Sequence, residues 1–381
     1  MQQMLGDRLV AVINSLINKT ELPDVTDWDR LSFVANSHSL GSIFHLAVKD
    51  SDKVPENVKK EAEKQYLSEV RQQTLQEYYA QQVFDKFDEN GIEYMPMKGW
   101  ILRHKYPSLD MRTSCDVDFL YKVNQADEIE KIFHSLGFKR KIEHETVGGW
   151  IKDVVLIEDH NALFEYKYSF YSYFEVVWDK LITSNGTRYD FTNEDYYLYM
   201  VAHNAKHFLM GGIGIRSVLD VYFYLKNTEL NREKVNNELA KMGLVTFANT
   251  IEELANVWFG NGEYTEQTNM VAKFIFNSGT YGLAESNAFL KASNRSENSK
   301  GAKSRYLIKT LFPAYRTMCV MYPVLRKAPF LLPIFWVVKW FTVLIKRPKR
   351  FKSTIKFANK MNDERLSFTD KVVKILDLPK N

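Results

Sequence analysis

The sequence predicts an α+β fold, in which a small mixed β-sheet lies between a helical N-terminal lead-in and an α-helical C-terminal domain. Three observations carry that prediction: apolar residues recur at helical spacing through 58–87, Asp116–Tyr121 alternates as a strand does, and helical runs succeed one another from Asn193 onward. With 381 residues, 45% of them hydrophobic, the chain can bury a sizeable core in two or three units. The patterns divide it into 1–90, 91–190, 191–300 and 301–381. Cys115 and Cys319 are the only cysteines, too few for a disulfide framework or a zinc cluster, which points to a reducing compartment. The first residues show no basic stretch followed by an apolar run, so a cytoplasmic protein is expected.

In the first unit, Tyr66, Val70, Leu75, Tyr79 and Val83 mark one face of a long helix that Gly91 ends. Residues 92–97 read as a short strand leading to Lys98-Gly99-Trp100. Asp116–Tyr121 is the next strand, and Ile129, Ile132, Phe133 and Leu136 then define a helix closed by Gly137. Two further strands are expected at 150–157 and 162–170, joined by a turn through Glu158-Asp159-His160-Asn161. Helices are expected at 195–210, 215–225 and 232–242. Gly211-Gly212-Ile213-Gly214 lacks the Lys-Ser/Thr ending of a phosphate loop and reads as a turn between two of them.

Residues two apart on a strand share a face, so Asp116 and Asp118 present both carboxylates to one side, while Val117 and Phe119 face the other. Such a pair suits a hard cation, Mg2+ or Mn2+, which prefers oxygen ligands and keeps contact with substrate phosphates. A third carboxylate from another strand would complete a two-metal site. Glu165 is the first candidate and Glu175 the reserve. An Asp-x-Asp alone is also common on solvated edge strands, so its surroundings decide.

Those surroundings are Lys98-Gly99-Trp100-Ile101-Leu102, then Tyr106-Pro107, then Arg112, with Phe119-Leu120-Tyr121 following the second aspartate. Together they resemble a bacterial nucleotidyltransferase family of the DNA polymerase beta-like superfamily, densely over 96–121 and more thinly over 164–225. The Gly99-Trp100 step also resembles the entry to this motif in lincosamide and related antibiotic nucleotidyltransferases. The resemblance implies that 91–190 is the nucleotidyltransferase core. It further implies that Asp116, Asp118 and Glu165 hold metal and carry catalysis, and that Lys98, Gly99, Trp100 and Arg112 bind a nucleoside triphosphate, ATP foremost. An acceptor hydroxyl of unknown identity would attack the α-phosphorus as pyrophosphate leaves. His207 and Asp220 are placed at the cleft rim. One departure stands out: relatives often carry a histidine two residues after the acidic strand position, where this chain has Lys167.

His203 and His207 have the i, i+4 spacing of a metal-binding helix face, but no third ligand or zinc-protease glutamate accompanies them. No Gly-x-Ser-x-Gly elbow supports an esterase. The net charge of +4 conceals an asymmetry: residues 298–362 hold 15 Lys and Arg and no Asp or Glu, leaving the remainder at −11. Within that block, the apolar run 328–345, with Trp336 and Trp340, reads either as a core helix with basic ends or as an interfacial helix. In the second reading, residues 326–356 rest on an anionic membrane, peripherally at its inner face.

Two functions of different class follow. One is a metal-dependent enzyme moving a nucleoside monophosphate from an NTP to a hydroxyl. The other is a non-catalytic protein of the same fold, recruited to a membrane-bound, polysaccharide-type biosynthetic complex; loss of the third carboxylate would favour it. A nucleic-acid grip ranks last, because the aromatic residues of the basic block cluster in one apolar run and do not alternate with its cations.

Overall fold

The alternation of Asp116–Tyr121 produces a strand with two chemically different faces, and a seven-stranded mixed sheet is built around it. The strands are β1 (Tyr94–Met97), β2 (Asp116–Tyr121), β3 (Lys139–Glu143), β4 (Val147–Lys152), β5 (Val155–His160), β6 (Ile182–Asn185) and β7 (Arg188–Asp190). Their order is β3-β4-β5-β2-β1-β7-β6, with β2·β5 and β1·β7 parallel and the other neighbours antiparallel. This computed structural model describes residues 2–144, 146–279, 284–292, 301–346, 348–360 and 363–378.

One face of the sheet is apolar. Val117, Phe119, Trp150 and Ile157 pack there against Val83, Phe84 and Phe87 of the 34-residue helix Glu56–Glu89 and against Ile129, Ile132 and Phe133 of Ala126–Ser135. Phe133 stacks on Trp150 with ring centroids 4.8 Å apart. The long helix stops as its sequence predicts: Asn90 returns its N–H to Lys86, and Gly91 takes a φ of +69° that other residues resist.

The other face meets the helical domain. Met95, Met97 and Leu120 join a core with residues of Asn193–Met210, Ile215–Lys226 and Val245–Phe259, to which Leu9, Val12 and Ile13 of Gln2–Asn18 also belong. The N-terminal helices and the helical domain therefore share one apolar interior. His38 fastens that junction, fully buried, with Nδ1 accepting from the Ile215 N–H at 3.2 Å. Burial lowers its pKa to about 4 against an opposing hydrogen bond to the Phe276 backbone.

Two local expectations are corrected here. The hairpin between β4 and β5 turns at Asp153-Val154, where Asp153 takes a φ of +52°, and Glu158-Asp159-His160 is strand, not turn. Residues 162–170 form no strand. They close on themselves, Tyr168 N bonding Glu165 O at 3.1 Å, because Leu163, Phe164, Tyr168 and Phe170 fill the main core. The Gly211–Gly214 stretch does join two helices, with Gly211 and Gly212 both at positive φ.

Candidate active site

The parallel pairing of β2 with β5 decides what stands beside the aspartates. Asp118 is in register with Glu158 and Leu120 with His160, so Asp116, Asp118, Glu158 and His160 share the face turned to the helical domain, while Asp159 lies on the other face with Arg140. Ligand atoms of Asp118, Glu158 and His160 lie within 4.8 Å of one another, the one such acidic or histidine group among the described residues. His160 Nε2 donates to Asp118 Oδ1 at 2.8 Å, since an ionised carboxylate can only accept. Asp116 is half-buried two residues before Asp118 on the same strand.

Charge accumulates on this face. Burial and the neighbouring Asp118 carboxylate raise the Asp116 pKa to about 6, with Glu158 adding to the repulsion and Lys98 and Arg216 opposing it. Burial would raise Asp118 too, but the Lys98 ammonium and His160 outweigh it and hold its carboxyl well below the usual range. Lys98, paired with Asp118, follows β1 with φ +49° and ψ −120°, a positive-φ conformation that residues other than glycine rarely adopt. The fold holds it there: Ile101 and Leu102 donate to the Lys98 carbonyl, as does the Tyr196 hydroxyl at 2.9 Å. Gly99 runs close to Ser114, where a Cβ would lie 3.1 Å from that of Ser114, tighter than an ordinary contact.

The helix Asn193–Met210 brings a second set of groups near these charges. Lys206 makes no salt bridge among the described residues, and its pKa is lowered to about 8 by burial and by Lys98, with Lys167 adding and Glu165 and Asp118 opposing. His203 and His207 face each other with Nε2 atoms 3.0 Å apart. Burial and the surrounding cations keep both neutral, His207 down to about 3. Neither histidine belongs to a ligand group of three among the described residues.

The remaining sequence candidates divide clearly. Glu165 lies off the sheet, ion-paired with Lys167 and 4.0 Å from His144 Nε2. Glu175 is exposed and takes a 3.3 Å hydrogen bond from Tyr171. Arg112 is buried in a two-pronged pair with Asp220, Nε to Oδ1 at 2.7 Å and Nη2 to Oδ2 at 3.1 Å, while Tyr106 donates to the same carboxylate at 2.6 Å. Its third prong donates to the Thr113 carbonyl at 2.9 Å, so the Arg112–Asp220 pair ties the turn beside Gly99 to the helical domain. Trp100 packs edge-on to Phe84 under the Arg103 guanidinium, with the apolar cluster on the side of the sheet away from the aspartates.

The sequence reading missed Glu158, His160, Lys206 and Arg216. A signal existed for the first two: Glu158-Asp159-His160 has the carboxylate and, two residues later, the histidine whose absence at Lys167 was noted above.

Residues 24–260, well over half of the chain, match the family model described as uncharacterised nucleotidyltransferase. The chain belongs to this family. Neither the curated proteins nor the solved structures contain a match. Membership of this nucleotidyltransferase family supports nucleotidyl transfer as the activity. The acidic cluster of β2 and β5 falls inside the matched residues, as do Lys98, Gly99 and Lys206. Among the described residues, no helix of this nucleotidyltransferase-family protein is long and apolar enough to cross a membrane.

Proposed function

We propose that this protein is a metal-dependent nucleotidyltransferase that moves a nucleoside monophosphate from an NTP, ATP first among them, to a hydroxyl acceptor. The observation that carries the reading is the convergence of Asp118, Glu158 and His160 on one sheet face, with Asp116 beside them. The donor set fits a divalent cation. Asp116, raised by burial and by the Asp118 carboxylate, gains from added positive charge, and Asp118 already holds the Lys98 ammonium. Asp116, Asp118 and Glu158 would hold Mg2+ or Mn2+, which when bound supplies charge neutralisation of the phosphates and acidifies a coordinated hydroxyl.

The chain's own groups do the rest. His160 fixes the Asp118 carboxylate through its 2.8 Å hydrogen bond, a positioning role of the kind that keeps ligands aimed. Lys206, Lys98 and Arg216 surround the carboxylates with cations suited to a polyphosphate chain. The Lys98-Gly99 turn leaves backbone approachable where a side chain would otherwise stand. Glu158 beside Asp118 supplies the third carboxylate that this reading needs, which favours it over the non-catalytic alternative.

Thermal unfolding with each NTP, with and without Mg2+ or Mn2+, tests the reading. A nucleotide at about 100 times its dissociation constant should stabilise by about 2.7 kcal/mol, a shift of several degrees, and only with the metal present. Equal shifts without metal, or none with any NTP, would remove the proposal's basis.

A further inference from the structure

The helix Leu332–Lys346 is mounted inside out. Its polar atoms point to the protein: Trp336 Nε1 donates to the Pro313 carbonyl at 3.1 Å, Trp340 Nε1 to that of Leu311 at 2.7 Å, and the Lys339 ammonium to that of Thr310. Phe312 sits edge-on to both tryptophans, 5.3 and 5.1 Å away, and Phe335 packs on Tyr322. The opposite face is aliphatic and aromatic and stays largely uncovered by the described residues. Ile334 is 58% exposed, Phe341 60% and Ile345 75%, with Val337, Val338 and Leu344 between them and Phe330, 79% exposed, just ahead of the helix. Spacings of 3 and 4 put these residues on one stripe.

Such a stripe exceeds the scattered apolar exposure of an ordinary surface and marks an interface. Its setting says what covers it. The surrounding block, 298–362, has 15 cations and no acid, so the occupant is apolar where the stripe meets it and negative around the edge. A second copy would bring two such blocks together and repel. Nucleic acid would leave the stripe in water, while both tryptophans, the natural stacking groups, are turned inward. The helix has 15 residues, short of the length that spans a bilayer.

We propose that this outward face docks in the headgroup region of an anionic lipid bilayer, lying along the surface. The docked segment is tied to the cleft whatever chemistry occurs there. Tyr166, between Glu165 and Lys167, packs into the cluster around Met318 and Cys319, with the Arg316 and Arg326 guanidinium groups 5.3 and 5.2 Å from its ring.

The test is flotation of the full chain with phosphatidylcholine vesicles, with and without phosphatidylglycerol, across a salt series. Binding is expected with phosphatidylglycerol at low salt and should weaken as the Debye length shrinks from about 10 Å at 0.1 M toward about 3 Å at 1 M. Phe341→Glu, at an exposed position, should reduce vesicle binding about tenfold or more while leaving the melting temperature unchanged. Ile182→Glu, at an equally apolar exposed site on β6, should change nothing. Absence of binding at low salt overturns the proposal. So does Phe341→Glu binding like wild type, which would assign attraction to charge alone. A concentration-dependent dimer that Phe341→Glu dissolves, without vesicle binding, would give the face to a second copy.

Discussion

The two faces of β2 are one backbone's alternate residues, yet they are held by opposite physics. Val117 and Phe119 lie in an apolar cluster where shape and buried area provide the stability. Asp116 and Asp118 lie opposite, in a buried setting that charges tolerate only when paired, and their partners come from β1, β5 and the helical domain. The contrast teaches that the apolar face stabilises the sheet, while the charged face is kept for chemistry at some cost to stability.

Substitutions on the two faces should therefore separate activity from folding. Asp118→Asn and Glu158→Gln each keep side-chain size and should lower nucleotide transfer by about 10³-fold or more, the order lost when a charge-stabilising group leaves a transition state. Phe119→Ala should instead cost about 3–5 kcal/mol in denaturant unfolding, with activity per folded molecule retained. If Asp118→Asn unfolded the protein more than Phe119→Ala does, the division between the faces would break.

His38 sharpens the comparison, because it is buried without charge. Its pKa of about 4 in the fold lies below the 6.5 of an unfolded chain, so the unfolded state takes up the proton first. Stability from this group is complete above pH 6.5, declines as the pH falls and levels off below about 4, by about 3 kcal/mol in all. Denaturant midpoints measured from pH 7 to 4 should show this slope added to that of the other buried histidines, and His38→Gln should reduce it by about that amount.

Smaller effects test the edges of the charged face. His160→Gln removes the group that orients Asp118 and should reduce transfer by about 10–100-fold, together with weaker Mn2+ binding. Glu165→Gln breaks an ion pair with Lys167 beside the cleft and should change turnover by no more than about fivefold. A loss at Glu165 matching that at Glu158 would return the third carboxylate to the loop.

Much of this protein is legible in local pattern. The strand period places Asp116 and Asp118 on one face whatever surrounds them, and the helical period, with Gly91 and Gly137 as stops, sets the elements that flank the sheet. Both are properties of neighbouring residues. Glu158 and His160 were hidden because Glu-Asp-His-Asn has turn composition, and only their pairing with β2, 42 residues away for His160 and Asp118, makes them strand and brings them to the site. A still longer separation conceals that Arg112 is committed to Asp220, 108 residues on. Composition showed that residues 328–345 were apolar between basic ends, but which side met the protein depended on tryptophan N–H groups finding carbonyls of residues 311–313. The sequence by itself determined the periodic elements and the paired aspartates, because these depend on backbone geometry over a few residues. Only the tertiary structure decided which carboxylate stands beside Asp118, the partner of Arg112 and the outward apolar face, since each is a choice among distant partners made by packing and charge satisfaction.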